Sequence, residues 1–382
     1  MFYARVHFLF YMFSENILIL YRQNMSQLNY RKPVLVLDEK RCKNNIKKMA
    51  EKAERNGCIF RPHFKTHQSI EIGKWFQETG VRGITVSSTG MAGYFASAGW
   101  NDITIAFPFF PYQIPALSEV EKHARLRLFV NSETDLELLN EELKNSFEVV
   151  IEIDPGYGRS GIHYQNRELI ESLIKKSGKL QKSKFHGFYV HEGRTYQAGS
   201  AYAVQAAIKP VIQILNELKA EFPEASLSLG DTPSASLNDN FEGIDELTPG
   251  NFVFYDWMQV QIGSCSLNDV SLFAVLPVAQ HFKTENRAIL HGGAAHLSKD
   301  YVMTNGINNY GQMVSNSASE IIELPNAFIT ALSQEHGTLS GLPDSFDEPV
   351  AWICPIHSCL TANLFDHYVT TNGMHIEKRI LS

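Results

Sequence analysis

Cysteine is scarce in this chain, and its placement excludes a disulfide-stapled scaffold. The 382 residues include five cysteines, an odd number at wide spacing: Cys42, Cys58, Cys265, Cys354 and Cys359. Small secreted domains instead carry even, clustered sets of cysteines. The cysteine content therefore predicts a protein of the reducing cytoplasm.

Long apolar runs and an excess of positive charge are also absent. The apolar stretches of residues 1–21 are interrupted at Glu15 and Asn16, whereas a membrane-spanning helix needs about 20 apolar residues. The formal net charge is −7, and nucleic acids and anionic membranes attract basic surfaces. We therefore expect neither a nucleic acid nor a membrane as a partner.

Residues 1–28 are predicted to be an N-terminal extension outside the folded domains. They lack the small-residue cleavage site of a secretory signal peptide. Three interpretations are open: a mis-assigned start with Met25 as the natural first residue, a mobile or packing extension, and a membrane-contacting anchor. The first would mean that residues 1–24 are not native.

Apolar strand-like runs alternate with helical patterns between residues 33 and 250. The run PVLVLD is followed by a charged stretch with apolar residues at helical spacing, which ends at Gly57, a residue type that commonly closes helices. Such alternation predicts parallel strands with helical crossovers. About eight units fit the range, so residues 29–250 are predicted to form a (β/α)8 barrel. A doubly wound open sheet is the alternative.

The pattern changes near residue 250. Short β-rich runs such as FVFYDWMQVQIG follow, with frequent glycine and proline and few long helical patterns. Residues 251–382 are therefore predicted to form a second, mostly β domain.

Lys65 is the first candidate for chemistry. It lies in RPHFKTH, at the end of an early predicted strand, and the carboxyl ends of barrel strands are where active sites form. Arg61, His63 and His67, if charged and close, would favour a neutral and nucleophilic lysine. The alternative is an ordinary surface lysine in a turn.

Two further loops contain groups that suit an anionic ligand. LGDTPSAS at residues 229–236 offers backbone N–H groups and the hydroxyls of Thr232, Ser234 and Ser236 to a phosphate. IDPGYGRSG places Arg159 among glycines, where it suits a phenolate or a carboxylate. An ordinary loop and an exposed turn arginine are the alternatives.

The segment PIHSCLTANLF contains a candidate metal pair. His357 and Cys359 are two residues apart, so in an extended segment both side chains lie on one face. Imidazole and thiolate suit Zn²⁺, and two protein ligands leave positions for water or substrate. The alternative is an accidental pair, because no CxxC or HExxH pattern completes the set.

Together these motifs resemble one family. KPVLVLDEKRCKNNI, RPHFKTH, DPGYGRSG, FYVHEGRTY, LGDTPS, LTPGNFVFYD, LSQEHG and CPIHSCLTANLF occur in order over residues 30–370. They are similar to the D-serine dehydratase / D-threonine aldolase group of fold-type III pyridoxal 5′-phosphate (PLP) enzymes, which have an alanine-racemase-like barrel.

The resemblance implies a role for each motif. Lys65 is expected to form the Schiff base with PLP and to remove the substrate's α-proton. The β domain is expected to close the active site of a homodimer. The remaining implied residues are Arg159, His63 and Tyr196 beside the cofactor, Gly230, Thr232 and Tyr255 at its phosphate, and His357 and Cys359 on Zn²⁺ or another divalent metal.

The resemblance also implies a lyase acting on D-3-hydroxy amino acids. Cys359 favours the dehydratase branch, because aldolase members more often carry His-x-Asp. Aldol cleavage, amino-acid racemisation and a non-catalytic PLP carrier are the alternatives. The chain departs from the common pattern in two places, HEGRTY with Glu192 and Arg194, and HGGAAHLSKD with His291 and His296.

Overall fold

The computed structural model of the protein describes residues 31–316 and 320–379. They form two compact units. One unit contains Lys40–Val270 and the residues from Glu377 onward, and the other contains the segment up to Glu39 and Ser271–Ile376. The predicted extension at residues 1–28 lies outside the described residues.

Parallel strands form the centre of the larger unit. Neighbouring strands pair in sequence around the sheet, and the backbone of His63 pairs with Thr85, which joins the two ends of the sheet into a barrel. This confirms the predicted (β/α)8 fold and excludes the open-sheet alternative. In sheet order the strands are Ile59–Phe60, Glu246–Leu247, Ser226–Leu229, Ser183–Val190, Phe147–Asp154, Arg125–Phe129, Asp102–Pro108 and Ile84–Val86.

Amphipathic helices connect these strands. In the Glu39–Arg55 helix, Ile46, Met49 and Ala53 are buried at intervals of about one turn, and Gly57 follows in the left-handed region with φ 68°. This is the helix and the terminus that the sequence predicts. The other helices of the barrel unit are Ile70–Glu78, Thr89–Ala96, Ile114–Val120, Glu133–Glu142, Arg167–Ser177, Ala201–Glu221, Thr232–Leu237 and Trp257–Ile262.

The smaller unit is built on a mostly antiparallel sheet. Leu272–Phe282 pairs with both Val350–Pro355 and Arg287–His291, so six strands form a closed hydrogen-bonding path around a buried apolar core. Two short helices, Ala294–Leu297 and Ser358–Asn363, belong to this unit. Its strands in sheet order are Arg287–His291, His336–Ser340, Ile321–Leu332, Gly311–Asn316, Val350–Pro355, Leu272–Phe282, Val34–Leu37, His367–Thr370 and His375–Glu377, with a separate hairpin of Val302–Thr304 and Ile307–Asn309.

Two segments differ from the sequence-based assignment. The sequence predicts that the PVLVLD run is the first strand of the barrel. The run instead forms the Val34–Leu37 strand, which pairs with Leu272–Phe282 in the smaller unit. A buried apolar strand fits the interior of either sheet, so its sequence does not decide between them. The predicted β-run after Asn251 is helical over Trp257–Ile262: the Asp256 carboxylate accepts the Gln259 N–H at 3.0 Å and Gly263 closes the helix at φ 87°. Capping side chains outweigh β-propensity there.

A layer of charged side chains fills the barrel interior near the amino ends of its strands. The carboxylate of Glu246 accepts from Arg127 at 2.5 Å, Arg61 at 3.3 Å and Ser228 at 2.8 Å. Arg61 also forms two bonds of 2.9 Å with Asp102. Burial alone would raise the pKa of Glu246, but the two guanidinium groups lower it below its ordinary value. The network keeps Glu246 ionised inside the barrel.

Replacing Glu246 should therefore destabilise the protein. Glu246→Gln leaves two buried guanidinium groups without their shared carboxylate, and we expect a loss of about 3 kcal/mol in the free energy of unfolding. Urea denaturation measures it. Glu171→Gln, which breaks only the exposed pair with Lys175, is the control and should change stability little. Equal denaturation midpoints for the two variants would contradict the prediction.

Candidate active site

Lys65 lies on the rim of the barrel, just after the Ile59–Phe60 strand. It is exposed, whereas the residues on either side of it, Phe64 and Thr66, are buried. Phe64 packs against the rings of Phe76 and Phe95, both at centroid distances of 4.9 Å. Tight anchoring of Phe64 thus fixes the backbone while the adjacent amine stays accessible.

Two imidazoles lie in the electrostatic environment of Lys65. Burial, with Lys65, His191 and Arg159 nearby, holds the pKa of His63 well below its usual range. Burial, with Arg159 and Lys65 nearby, lowers the pKa of His191 to about 3. Both rings are therefore neutral at physiological pH, and Lys65 and Arg159 are the positive groups that act on both of them.

Arg159 is held in place by the strand that precedes it. Its guanidinium donates to Glu152 Oε1 at 3.2 Å, and the Ser160 hydroxyl donates to the same oxygen at 2.9 Å. The Asp154 carboxylate accepts from the backbone N–H groups of residues 156–158 at 2.8–3.0 Å. The glycine-rich turn is thereby closed, and the half-exposed Arg159 stays on the carboxyl side of the Phe147–Asp154 strand.

Hydroxyl groups line the loop after Ser226–Leu229. The Thr232 N–H donates to the Tyr196 hydroxyl at 3.2 Å, and the hydroxyls of Ser236 and Tyr255 are 3.1 Å apart. Tyr255 adopts φ 49°, an uncommon conformation for a residue with a side chain, and strain of this kind costs about 1–3 kcal/mol. Such outliers cluster at ligand sites.

His191 connects this loop to the surroundings of Lys65. Its Nδ1 contacts the carbonyl oxygen of Gly230, and its ring lies 6.1 Å from that of Tyr196. At Gly230 a Cβ would overlap the hydroxyls of Tyr189 and Thr248, so only glycine fits. The structure therefore brings the predicted Lys65, His63 and Arg159 near His191. His191 in turn contacts Gly230 and lies beside Tyr196, which accepts the Thr232 N–H.

The donor set fits PLP. A phosphate needs neutral hydroxyl and N–H donors, and the loop offers the hydroxyls of Thr232, Ser236 and Tyr255. The exposed Lys65 and the cation of Arg159 lie near His63 and His191. Both of these imidazoles are neutral, so they add no competing charge.

The candidate metal pair lies in the smaller unit. His357 directly precedes the Ser358–Asn363 helix, and Cys359 is in its first turn, partly exposed. The Nδ1 atom of His357 lies 3.0 Å from Asp300 Oδ2. Among the residues that the structure describes, no group of three histidine, cysteine or acidic side chains is placed to hold a metal. The chain becomes helical at Ser358, so the extended backbone assumed for one shared face is wrong. Imidazole and thiolate still suit, as ligand types, a metal whose other positions are open.

Sequence reasoning missed three residues of these sites: His191, Glu152 and Asp300. His191 follows the Ser183–Val190 strand, and Glu152 lies near the end of Phe147–Asp154, so the rule that polar groups at strand ends form barrel active sites could have found them. Asp300 is 57 positions from His357, and no local signal pairs them.

Two expectations about neighbouring residues change. Arg61 pairs with Asp102 and Glu246 inside the barrel. His67 is fully buried, and burial lowers its pKa to about 3. The condition under which Arg61, His63 and His67 would favour a neutral Lys65 is therefore not met, because His63 and His67 are neutral and Arg61 is paired with carboxylates.

Comparison with known proteins identifies the family. The sequence profile described as "Alanine racemase, N-terminal domain" matches residues 37–256, and that described as "Putative serine dehydratase domain" matches residues 271–371. The chain is 30% identical to a D-serine dehydratase of Dictyostelium discoideum over 89% of this chain and 93% of the relative. The chain belongs to the D-serine dehydratase / D-threonine aldolase family. It is a PLP-dependent lyase, as the motifs predict.

Other relatives match a large part of the chain. A D-threo-3-hydroxyaspartate dehydratase of a Delftia species is 28% identical over 88% of this chain and 93% of the relative. Its solved structure superposes with a TM-score of 0.82 at 26% identity, covering 92% of this chain and 98% of that one. A variant of that protein with a cysteine replaced by alanine is described as metal-free. A 3-hydroxy-D-aspartate aldolase of Paracoccus denitrificans is 26% identical over 61% of this chain and 62% of the relative.

Because His191 is neutral in the fold, the protein should lose stability in mild acid. Its pKa is lowered from 6.5 to about 3, so between these values the unfolded chain binds a proton that the folded state does not. Through His191, the free energy of unfolding should therefore be highest above pH 6.5 and should fall by about 1.4 kcal/mol for each pH unit below that value.

Urea denaturation of the cofactor-free protein between pH 7.5 and 5 measures this slope. His191→Gln should reduce the slope of unfolding free energy against pH by the contribution of one bound proton, about 1.4 kcal/mol per pH unit. His123→Gln, at an exposed histidine, should leave the slope unchanged. An unaltered slope in His191→Gln would show that the buried imidazole is not kept neutral by folding.

Proposed function

We propose that this protein is a metal-dependent dehydratase of D-3-hydroxy amino acids, of the D-serine type, with PLP bound at Lys65. The observation that carries the dehydratase assignment is the His357–Cys359 pair, in which Asp300 contacts the His357 Nδ1 atom at 3.0 Å. A racemase has no use for such a metal pair. The relatives named as dehydratases support the same substrate class.

Bound at Lys65, PLP supplies an electron sink for the substrate's α-carbon. The Lys65 amine is the group that takes the α-proton, since it is the accessible base of the rim segment. The lowered pKa values of His63 and His191 make both neutral rings weak bases, so they would not compete with Lys65 for that proton. Arg159, fixed on Glu152, supplies a permanent positive charge beside them.

The hydroxyl-lined loop would hold the cofactor's phosphate. Gly230 allows the backbone to approach closely, and Thr232 and Tyr255 offer hydroxyls that remain neutral. Burial raises the pKa of Tyr255 well above its ordinary value, so its hydroxyl stays a donor at any physiological pH. Tyr196, which accepts the Thr232 N–H, supports the loop from the side.

His357 and Cys359 would hold Zn²⁺ or another divalent cation. A metal with two protein ligands has open positions, and as a Lewis acid it would make the β-hydroxyl of the substrate a better leaving group. The imidazole contributes through Nε2, because Nδ1 faces Asp300. The thiol of Cys359 is partly exposed, as a ligand for an incoming ion must be.

Aldol cleavage is the second candidate, and the aldolase among the relatives favours it. The two reactions share α-carbon activation and differ in the bond that breaks. Dehydration of D-serine releases pyruvate and ammonia, whereas cleavage of D-threonine releases glycine and acetaldehyde. Measuring both product pairs with one protein preparation distinguishes them.

Lys65→Ala should abolish covalent cofactor binding and activity. The purified protein with added PLP should show Schiff-base absorbance, and borohydride reduction followed by peptide mass analysis should label Lys65. The variant should lose the label and at least about 10²–10⁴-fold in rate, the usual contribution of a positioned base. Lys74→Ala, at an exposed lysine of the next helix, should keep both. Labelling of another lysine would overturn the assignment.

Replacing Cys359 should separate the metal from the cofactor. Cys359→Ala should lose bound metal and at least about 100-fold in pyruvate formation from D-serine, while retaining the Schiff-base absorbance. Cys359→Asp, which keeps an anionic ligand, should retain more metal. Full activity in Cys359→Ala or after exhaustive chelation would refute the metal's role.

A further inference from the structure

The structure assigns a positioning role to Asp300: we propose that its carboxylate accepts the Nδ1 proton of His357 and so directs the Nε2 lone pair to the metal. The inference rests on the proposed function, because it presumes that His357 binds the ion. It adds a residue that is not a proposed metal ligand and to which the sequence motifs assign no role, although Asp300 ends the HGGAAHLSKD segment.

The contact itself is the first support. Asp300 Oδ2 and His357 Nδ1 are 3.0 Å apart, the distance of a direct hydrogen bond. The carboxylate can only accept, so Nδ1 must carry the proton. A neutral imidazole then has its lone pair on Nε2, which is the form that binds a metal.

The backbone around Asp300 is built to hold the carboxylate in place. Ser298 adopts φ 65°, a strained conformation for serine. Its side-chain oxygen accepts the Asp300 N–H at 3.2 Å, and its own N–H donates to the carbonyl of Ala294 at 3.2 Å. Ser298 therefore ends the preceding helix and also binds the backbone N–H of Asp300, which fixes the position of the Asp300 backbone.

Two further contacts tie this segment to the helix after His357. The Thr361 hydroxyl lies 3.4 Å from the carbonyl oxygen of Leu297, and the rings of His296 and Phe365 are 5.8 Å apart. The His357 carbonyl accepts the Thr361 N–H at 3.1 Å. The Asp300–His357 bond is therefore one of several contacts between the same two segments, so its geometry does not depend on two mobile side chains meeting.

The chemical consequence follows from carboxylate–imidazole–metal arrangements in general. A carboxylate on the far nitrogen fixes the tautomer and the ring orientation and makes the ligating nitrogen more basic. Loss of such a partner typically costs about 10–100-fold in metal affinity or activity. The cost falls on the metal and leaves the barrel and its cofactor untouched.

The first experiment measures Zn²⁺ affinity by competition with a chromophoric chelator, using the full chain with PLP bound. Asp300→Ala should weaken binding by about 10–100-fold. Asp300→Asn keeps an oxygen that can accept the Nδ1 proton but lacks the charge, so its loss should be smaller. Asp347→Asn makes the same charge change in the same unit, at a carboxylate that pairs with Lys283, and should bind Zn²⁺ like the wild type.

A second measurement reads the tautomer directly in the metal-free protein. Long-range ¹H–¹⁵N spectra, with His357 assigned by comparison with His357→Ala, should show the proton on Nδ1 in the wild type. Asp300→Ala should shift the population toward the Nε2-protonated form. A merely structural role would lower thermal stability without moving this signal.

The outcomes separate this inference from the function on which it rests. If His357→Ala and Cys359→Ala keep wild-type Zn²⁺ affinity, the proposed metal site is wrong and the role of Asp300 is wrong with it. If those variants lose the metal but Asp300→Ala keeps wild-type affinity, or if Nε2 carries the proton in the wild type, the metal site stands and only the positioning role is overturned.

Discussion

The backbone pairing of His63 with Thr85 is the constraint on which the lyase site depends. The Ile59–Phe60 strand is only two residues long, so the barrel closes through the segment that follows it, where the Phe64 N–H reaches the Thr85 carbonyl at 2.8 Å. That closure holds His63 and Phe64 in the wall and leaves Lys65 as the first accessible side chain beyond it.

The charged side chains at the two ends of the barrel have different partners and different roles. Near the amino ends of the strands, Arg61 and Arg127 are neutralised by Glu246 and further carboxylates, which makes that layer structural. At the carboxyl ends the two imidazoles are neutral and Arg159 keeps a partial partner in Glu152. The positive groups near the two imidazoles are therefore Lys65 and Arg159.

Much of the barrel could be predicted from the sequence because its signals are local. Apolar runs, helical spacing and a closing glycine are read within about 20 residues, and they place Lys65, Arg159 and Thr232 at strand ends. The Val34–Leu37 strand could not be placed this way, since its apolar pattern suits either sheet and only its pairing with Leu272–Phe282 decides. The Trp257–Ile262 helix could not be predicted from its aromatic and β-branched residues, because it depends on the cap that Asp256 forms with Gln259.

The candidate sites show the same division between local and distant information. His357 and Cys359 are two residues apart, and their chemistry alone suggested a metal. Asp300 could not be inferred, because an aspartate in a loop has no periodicity and its partner is reached only through the fold. His291 and His296 mark a departure from the common family pattern, and in the fold their rings lie 6.0 Å apart, with the His296 ring 5.8 Å from that of Phe365. A residue that acts through another residue is hard to predict from sequence. Its role depends on the distance between the two side chains in the fold and not on a local residue pattern.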